Sequence, residues 1–154
     1  MTITGTTRLY AILGDPLAKA RSPERFNALF AQRGIDAVLV PAEVGPEGFA
    51  AAVAGFKRLR NCDGLILTMP HKQAMCAYVD ALCDNGRLVG AINAARRLED
   101  GRWVGDMFDG RGYRVHGVVQ RKGAAHGAVG ELPPVLHGVQ GAGVERCRHG
   151  GIDD

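Results

Sequence analysis

Three short apolar runs, separated by two stretches of helical spacing, constrain this chain more than any other feature. Residues 8–14 (RLYAILG) read as a strand that ends in a glycine turn, 37–41 (AVLVP) as a second, and 62–68 (CDGLILT) as a third. Between the first two, Ser22 precedes Pro23, as expected of a helix N-cap and first position, and Phe26, Leu29 and Phe30 recur at helical spacing before Gly34 closes the segment. Residues 46–58 form a second helix with Phe49, Val53 and Phe56 on one face. Strand, helix, strand, helix, strand at such intervals demands parallel strands joined by crossovers. The expected class is α/β, a three-layer, open, mostly parallel sheet with helices on both faces. Ligands of such sheets bind beyond the carboxyl ends of the strands, where residues 14–22 and 68–72 fall.

The third run leads straight into Thr68-Met69-Pro70-His71-Lys72. Pro70 is suited to the first position of a following helix, which would put Lys72 in its first turn. There the positive end of the helix dipole disfavours an ammonium, so a lowered pKa and a role in proton transfer are expected. Further along, a short helix is expected near 73–82. Strands are expected at 90–97 and 102–106, joined by the turn Glu99-Asp100-Gly101, and Asp109-Gly110 leads into another helix.

Composition removes several classes of function. The 154 residues carry 19 Lys+Arg against 16 Asp+Glu, and the cations are scattered among acids without forming a stripe, which argues against nucleic acid or a membrane surface as partner. No apolar run approaches the ~18 residues that span a bilayer. The opening Met-Thr-Ile-Thr-Gly lacks the regions of a signal peptide, so a cytoplasmic location is expected. Cys62, Cys76, Cys83 and Cys147 show no C-x-x-C spacing. Buried free thiols in a reducing compartment are the expectation, with no metal site.

Four segments, in order, carry a resemblance. GDPLAKARSP at 14–23, TMPHK at 68–72, VGAIN at 89–93 and GDMFDG at 105–110 are similar to motifs of the N-terminal, substrate-binding domain of the shikimate dehydrogenase family. The likeness covers about residues 8–120. In that family NADP(H) delivers hydride to a ring ketone of a cyclic hydroxy-carboxylic acid, and a lysine and an aspartate flank the oxygen that exchanges the proton. By match of motif these are Lys72 and Asp109. Taken singly, Lys72 is a solvated lysine at a helix end and Asp109-Gly110 a turn; within the four-segment set the catalytic reading is preferred. Thr68 and Asn93 match residues that hydrogen-bond ring hydroxyls, and Ser22 one that holds the substrate carboxylate. A serine at a helix start is equally a cap, and the two roles are compatible.

The departures bear on substrate. Ala20 stands where the family commonly has a second serine for the carboxylate, Met107-Phe108 where it has Asn-Thr, and Ala94 where it has a threonine. Losing one hydroxyl to a buried carboxylate costs about 1.5–3 kcal/mol, or one to two orders of magnitude in affinity, unless another group such as Arg21 compensates. From 123 onward the sequence is glycine-rich and without period. Two parts are therefore expected: residues 1–122 as the substrate-binding domain, and 123–154 as an irregular tail, the remnant of a cofactor domain that family members continue into. Gly138 to Gly143 echoes a phosphate loop, but the fingerprint needs a preceding strand, a following helix and an acidic residue ~20 positions on, and the sequence ends before that position. The resemblance thus implies half of an NADP-dependent shikimate or quinate dehydrogenase that binds a cyclic hydroxy-carboxylate. It also implies that this half alone binds no NADP and is inactive, with cofactor-binding residues unassigned and self-association through the exposed interdomain face. The competing reading is a non-catalytic remnant or binding module for the same class of acid.

Overall fold

The computed structural model describes residues 2–109. The readings that fall on 110–154, including the glycine-rich tail, the phosphate-loop echo and Cys147, lie outside the described residues. Among the described residues six strands form one sheet: β1 (Arg8–Gly14), β2 (Ala37–Glu43), β3 (Cys62–Leu67), β4 (Ala81–Leu82), β5 (Ala94–Arg97) and β6 (Trp103–Asp106), in the order β2-β1-β3-β5-β6-β4. β1 pairs in parallel with β2 and β3, and β4 with β6. Only β5 runs against its neighbours, antiparallel to both β3 and β6. The mostly parallel sheet follows from the crossover helices α1 (Ser22–Arg33) and α2 (Pro46–Arg58).

Alternation along the strands supplies both faces with core. On one face Tyr10, Leu39 and Ala94 pack with Phe30 of α1, flanked by Phe26 and Leu29. On the other, Ala11, Leu13, Leu65, Leu67 and Trp103 pack with Phe49 and Val53 of α2. Each large side chain buried this way contributes about 1.5–3 kcal/mol. Gly64 is required by the first face, since a Cβ there would lie 2.9 Å from the Tyr10 ring. Burial pushes the Tyr10 hydroxyl from its usual 10.0 up to about 12, with Asp63 adding to the rise.

The first half of the chain follows the sequence pattern closely, Gly34 included, with two adjustments. α1 is entered from Arg21, already near helical at φ −93° and ψ −6°, so Ser22 is inside the helix and no side chain caps it. Gly34 closes α1 in the left-handed conformation at φ 64°, a turn that favours glycine. β2 extends to Glu43 past Pro41, which an edge strand tolerates because one face of its ladder needs no donor.

The larger differences come after β3. Pro70 does not open an α-helix: the Met69–Pro70 peptide is cis, as is Asp15–Pro16, and the chain turns through residues 69–73 before a 3-10 turn at Ala74–Tyr78. A short helix α3 (Asp84–Val89) follows β4 and ends at Gly90 with φ 68°, so the next strand starts only at Ala94. β5 and β6 form the expected hairpin, with Gly101 at φ 87° in its tip. Cys62 and Cys76 are free, and burial pushes the Cys62 thiol up to about 11; Cys83 is disulfide-bonded, against the free-thiol expectation. Among the described residues no helix is long and apolar enough to cross a membrane.

Candidate functional site

The loops that leave β1, β2 and β3 are tied into one rim at the carboxyl end of the sheet. Thr68 N–H donates to the Leu13 carbonyl at 3.0 Å, Asp15 N–H to Met69 O at 3.0 Å, and Val44 N–H to Gly14 O at 3.1 Å. Gly14 is the point of closest approach: a Cβ there would stand 2.3 Å from Thr68 Cγ2 and 3.0 Å from the Met69 carbonyl. Glu43, at the end of β2, accepts the Leu17 N–H at 2.7 Å and so holds the loop before α1.

The reversed strand brings a further element to the same rim. Because β5 runs antiparallel, Asn93 at its entrance lies beside the exit of β3, and its carbonyl accepts the Leu67 N–H at 2.8 Å. The exit of β6 is the neighbour on the other side, with Asn93 N–H donating to Asp106 O at 3.2 Å. Asp106 is itself buried and anchored, its carboxylate accepting the Gly86 N–H at 2.8 Å.

Three polar side chains converge there. The Lys72 ammonium donates to Asp109 Oδ2 at 2.6 Å, and Asn93 Nδ2 donates to Asp109 Oδ1 at 2.5 Å. The orientation of the Asn93 amide is fixed by its other end, where Oδ1 accepts the Phe108 N–H at 2.9 Å. Asp109 is therefore held by both oxygens. The pair stays accessible, with 29% of the Lys72 side chain and 53% of the Asp109 side chain exposed. A cation, a carboxylate and an amide at one open rim suit an oxygen that must gain or lose a proton beside other hydroxyls.

Lys72 reaches this position without a helix N-terminus. It sits in the turn before the 3-10 segment, outside any α-helix, and the group that faces the ammonium is Asp109. Of the other two sequence candidates, Thr68 lies in the rim, half-buried, and Ser22 opens α1 after the β1 loop. Neither hydroxyl hydrogen-bonds to another described residue. His71 was not singled out from sequence. It is buried, stacked on Phe49 at 4.1 Å with an interplanar angle of 9°, and its Nε2 is 2.6 Å from the Val44 carbonyl. Among the described residues no group of three or more His, Cys, Asp or Glu could hold a metal ion.

The model of the shikimate dehydrogenase substrate binding domain matches residues 12–95, more than half of the 154. The chain belongs to the shikimate dehydrogenase family. A shikimate dehydrogenase (NADP(+)) of Rubrobacter xylanophilus is 40% identical over 111 residues, which cover 72% of this chain and 39% of that protein. The crystal structure of shikimate 5-dehydrogenase from Listeria monocytogenes, in complex with shikimate and NAD, superposes with a TM-score of 0.70 at 35% identity. That match covers 75% of this chain and 39% of that one. A ligand-free 5-ketofructose reductase of a Gluconobacter species matches with a TM-score of 0.68 at 28% identity, over 73% of this chain and 40% of that chain. The shikimate dehydrogenase fold thus extends to a relative named for another ketone. The chain spans about two fifths to half the length of the curated relatives it matches, from 38% to 50%.

Proposed function

We propose that residues up to about 122 are the substrate-binding half of a shikimate dehydrogenase-like oxidoreductase. In this reading Lys72 and Asp109 flank the ring oxygen of a cyclic hydroxy-carboxylate, shikimate or quinate being the leading candidates. Lys72 exchanges the proton with that oxygen. Asp109 accepts a hydrogen bond from the same or a neighbouring hydroxyl and balances the ammonium charge. Asn93 keeps one amide hydrogen for a further hydroxyl, Thr68 offers its free hydroxyl from the β3 exit, and Ser22 faces the carboxylate from the α1 start. The observation that carries this reading is the contact of Lys72 with an Asp109 whose second oxygen is held by Asn93.

Relatives are named for NADP(+). The described residues do not fit that cofactor: the turns after the parallel strands run Gly14-Asp15-Pro16, Val44-Gly45-Pro46 and Thr68-Met69-Pro70, with no glycine-rich phosphate cradle. No hydride step is assigned to them. The same observation favours a second reading, a module that binds a cyclic hydroxy-carboxylate without turning it over.

Titration of the purified chain with shikimate, followed by NMR, tests the site. We expect shifts at Thr68, Lys72, Asn93 and Asp109 with a Kd near or above about 1 mM, equivalent to roughly 4 kcal/mol, because an open rim leaves water to screen each contact. Ala20→Ser, which restores a carboxylate donor, should tighten it. Saturable shifts confined to other surfaces would sink the assignment. The chain alone should show no NADP reduction with shikimate or quinate above a blank; turnover abolished by Lys72→Ala would overturn the half-enzyme reading.

A further inference from the structure

We propose that His71 is a positioning residue: its side chain locks the turn that carries Lys72 to the loop after β2, and so holds the lysine ammonium against Asp109. This rests on the reading of Lys72 as the proton-exchanging group.

His71 is 2% exposed, and an imidazole taken out of water needs a partner. It has one. The Val44 carbonyl, 2.6 Å from Nε2, can only accept, so Nε2 carries the hydrogen and donates it. Val44 is a junction, because its own N–H donates to Gly14 at the end of β1. One residue, through its N–H and its carbonyl, thereby joins the exits of β1 and β3 to the loop after β2. On the opposite side of the turn, the Lys72 carbonyl accepts the Ile92 N–H at 2.8 Å, next to Asn93. Lys72 is thus pinned before by the His71 side chain and after by its own carbonyl.

A lysine has four rotatable carbons, and its charge is held at one point only if the turn beneath it does not drift. Filling space under the turn would require the stacked ring and no donor. The short bond to a loop carbonyl is what a filler would not need.

Two variants of the full chain separate these roles. His71→Gln keeps an N–H donor and loses the ring; His71→Phe keeps the ring over Phe49 and loses the donor. The readout is the NMR coupling across the hydrogen bond from Lys72 Nζ to Asp109, with shikimate affinity as a second arm. The coupling should persist in H71Q and be lost in H71F, with weaker shikimate binding in H71F. A coupling that persists in H71F, or that is lost in H71Q, overturns the proposal. Should either variant fail to fold, the tautomer of the parent decides: protonation at Nε2 in long-range 15N spectra supports the lock, and a bare Nε2 overturns it. If the parent binds no shikimate, the functional reading fails while the coupling arm still settles His71.

Discussion

At the amino-terminal end of the sheet, charged side chains are tied to neighbouring strand and helix termini, whereas at the carboxyl rim side chains from separate loops meet on one carboxylate. Arg8 pairs with Asp63 and reaches the Arg60 carbonyl, and Thr6 and Thr7 both donate to Asp36, whose carboxyl they hold below the usual range. Arg97 lies 5.3 Å over the Trp103 ring and donates to the Lys57 carbonyl. Each of these cations ends on a strand or helix terminus it helps to close. At the rim, Lys72 and Asn93 share one carboxylate across three separate loops. Ion pairs this exposed are worth at most about 1 kcal/mol at either end, so what sets the ends apart is the buried Trp103 beneath Arg97 at one and the convergence of three loops on Asp109 at the other.

Trp103→Ala should give the largest effect. Its side chain is 1% exposed, and truncation should cost about 3–5 kcal/mol, read as a lower urea midpoint. A loss under about 1 kcal/mol would deny the amino end its structural role. Gly14→Ala tests the rim's packing. The new methyl group meets Thr68 and the Met69 carbonyl, so about 1–3 kcal/mol of stability should go, together with shikimate binding. Equal affinity in this variant would mean that the β1 and β3 exits need not touch.

Asp109→Ala should sharpen the comparison in the other direction. Unfolding should change by less than about 1 kcal/mol, while shikimate affinity falls roughly tenfold. A variant that unfolds but binds as the parent does would reverse the two ends. The smallest effect at ordinary pH belongs to Tyr10. Burial raises its folded pKa from 10.0 to about 12, so the folded chain holds that proton more tightly than the unfolded one. The contribution is fully present below about pH 10 and is lost as pH climbs through 12. An ultraviolet titration should show a tyrosine ionising near pH 12, together with alkaline unfolding.

Periodicity sufficed for β1, α1, β2, α2 and β3 because their boundaries are local: glycine at 34, proline at 46, and apolar residues at the right spacing. The stretch after Thr68 was not legible in that way. Proline at 70 serves a helix start or a turn equally well, and what selects the turn lies elsewhere, in the Ile92 N–H on the Lys72 carbonyl and in His71 beneath Phe49. α3 is likewise tied down from a distance, by the Asp106 carboxylate twenty residues on. Lys72, Asn93 and Asp109 could be nominated through motif order, while their contact depends on the direction of β5, which no local pattern records. His71 gave no signal beyond being the residue before Lys72.

The reversed strand has a practical corollary. Since β5 enters at the rim and leaves at the far side, the hairpin tip around Asp100 is separated from Asn93 by the full length of the strand, about 13 Å for four residues. The tip is exposed and closed by its own Leu98 and Arg102 backbone bonds. It is therefore a natural attachment point, where a fluorophore, a surface tether or a fused partner could be carried while the open rim stays free to meet solute.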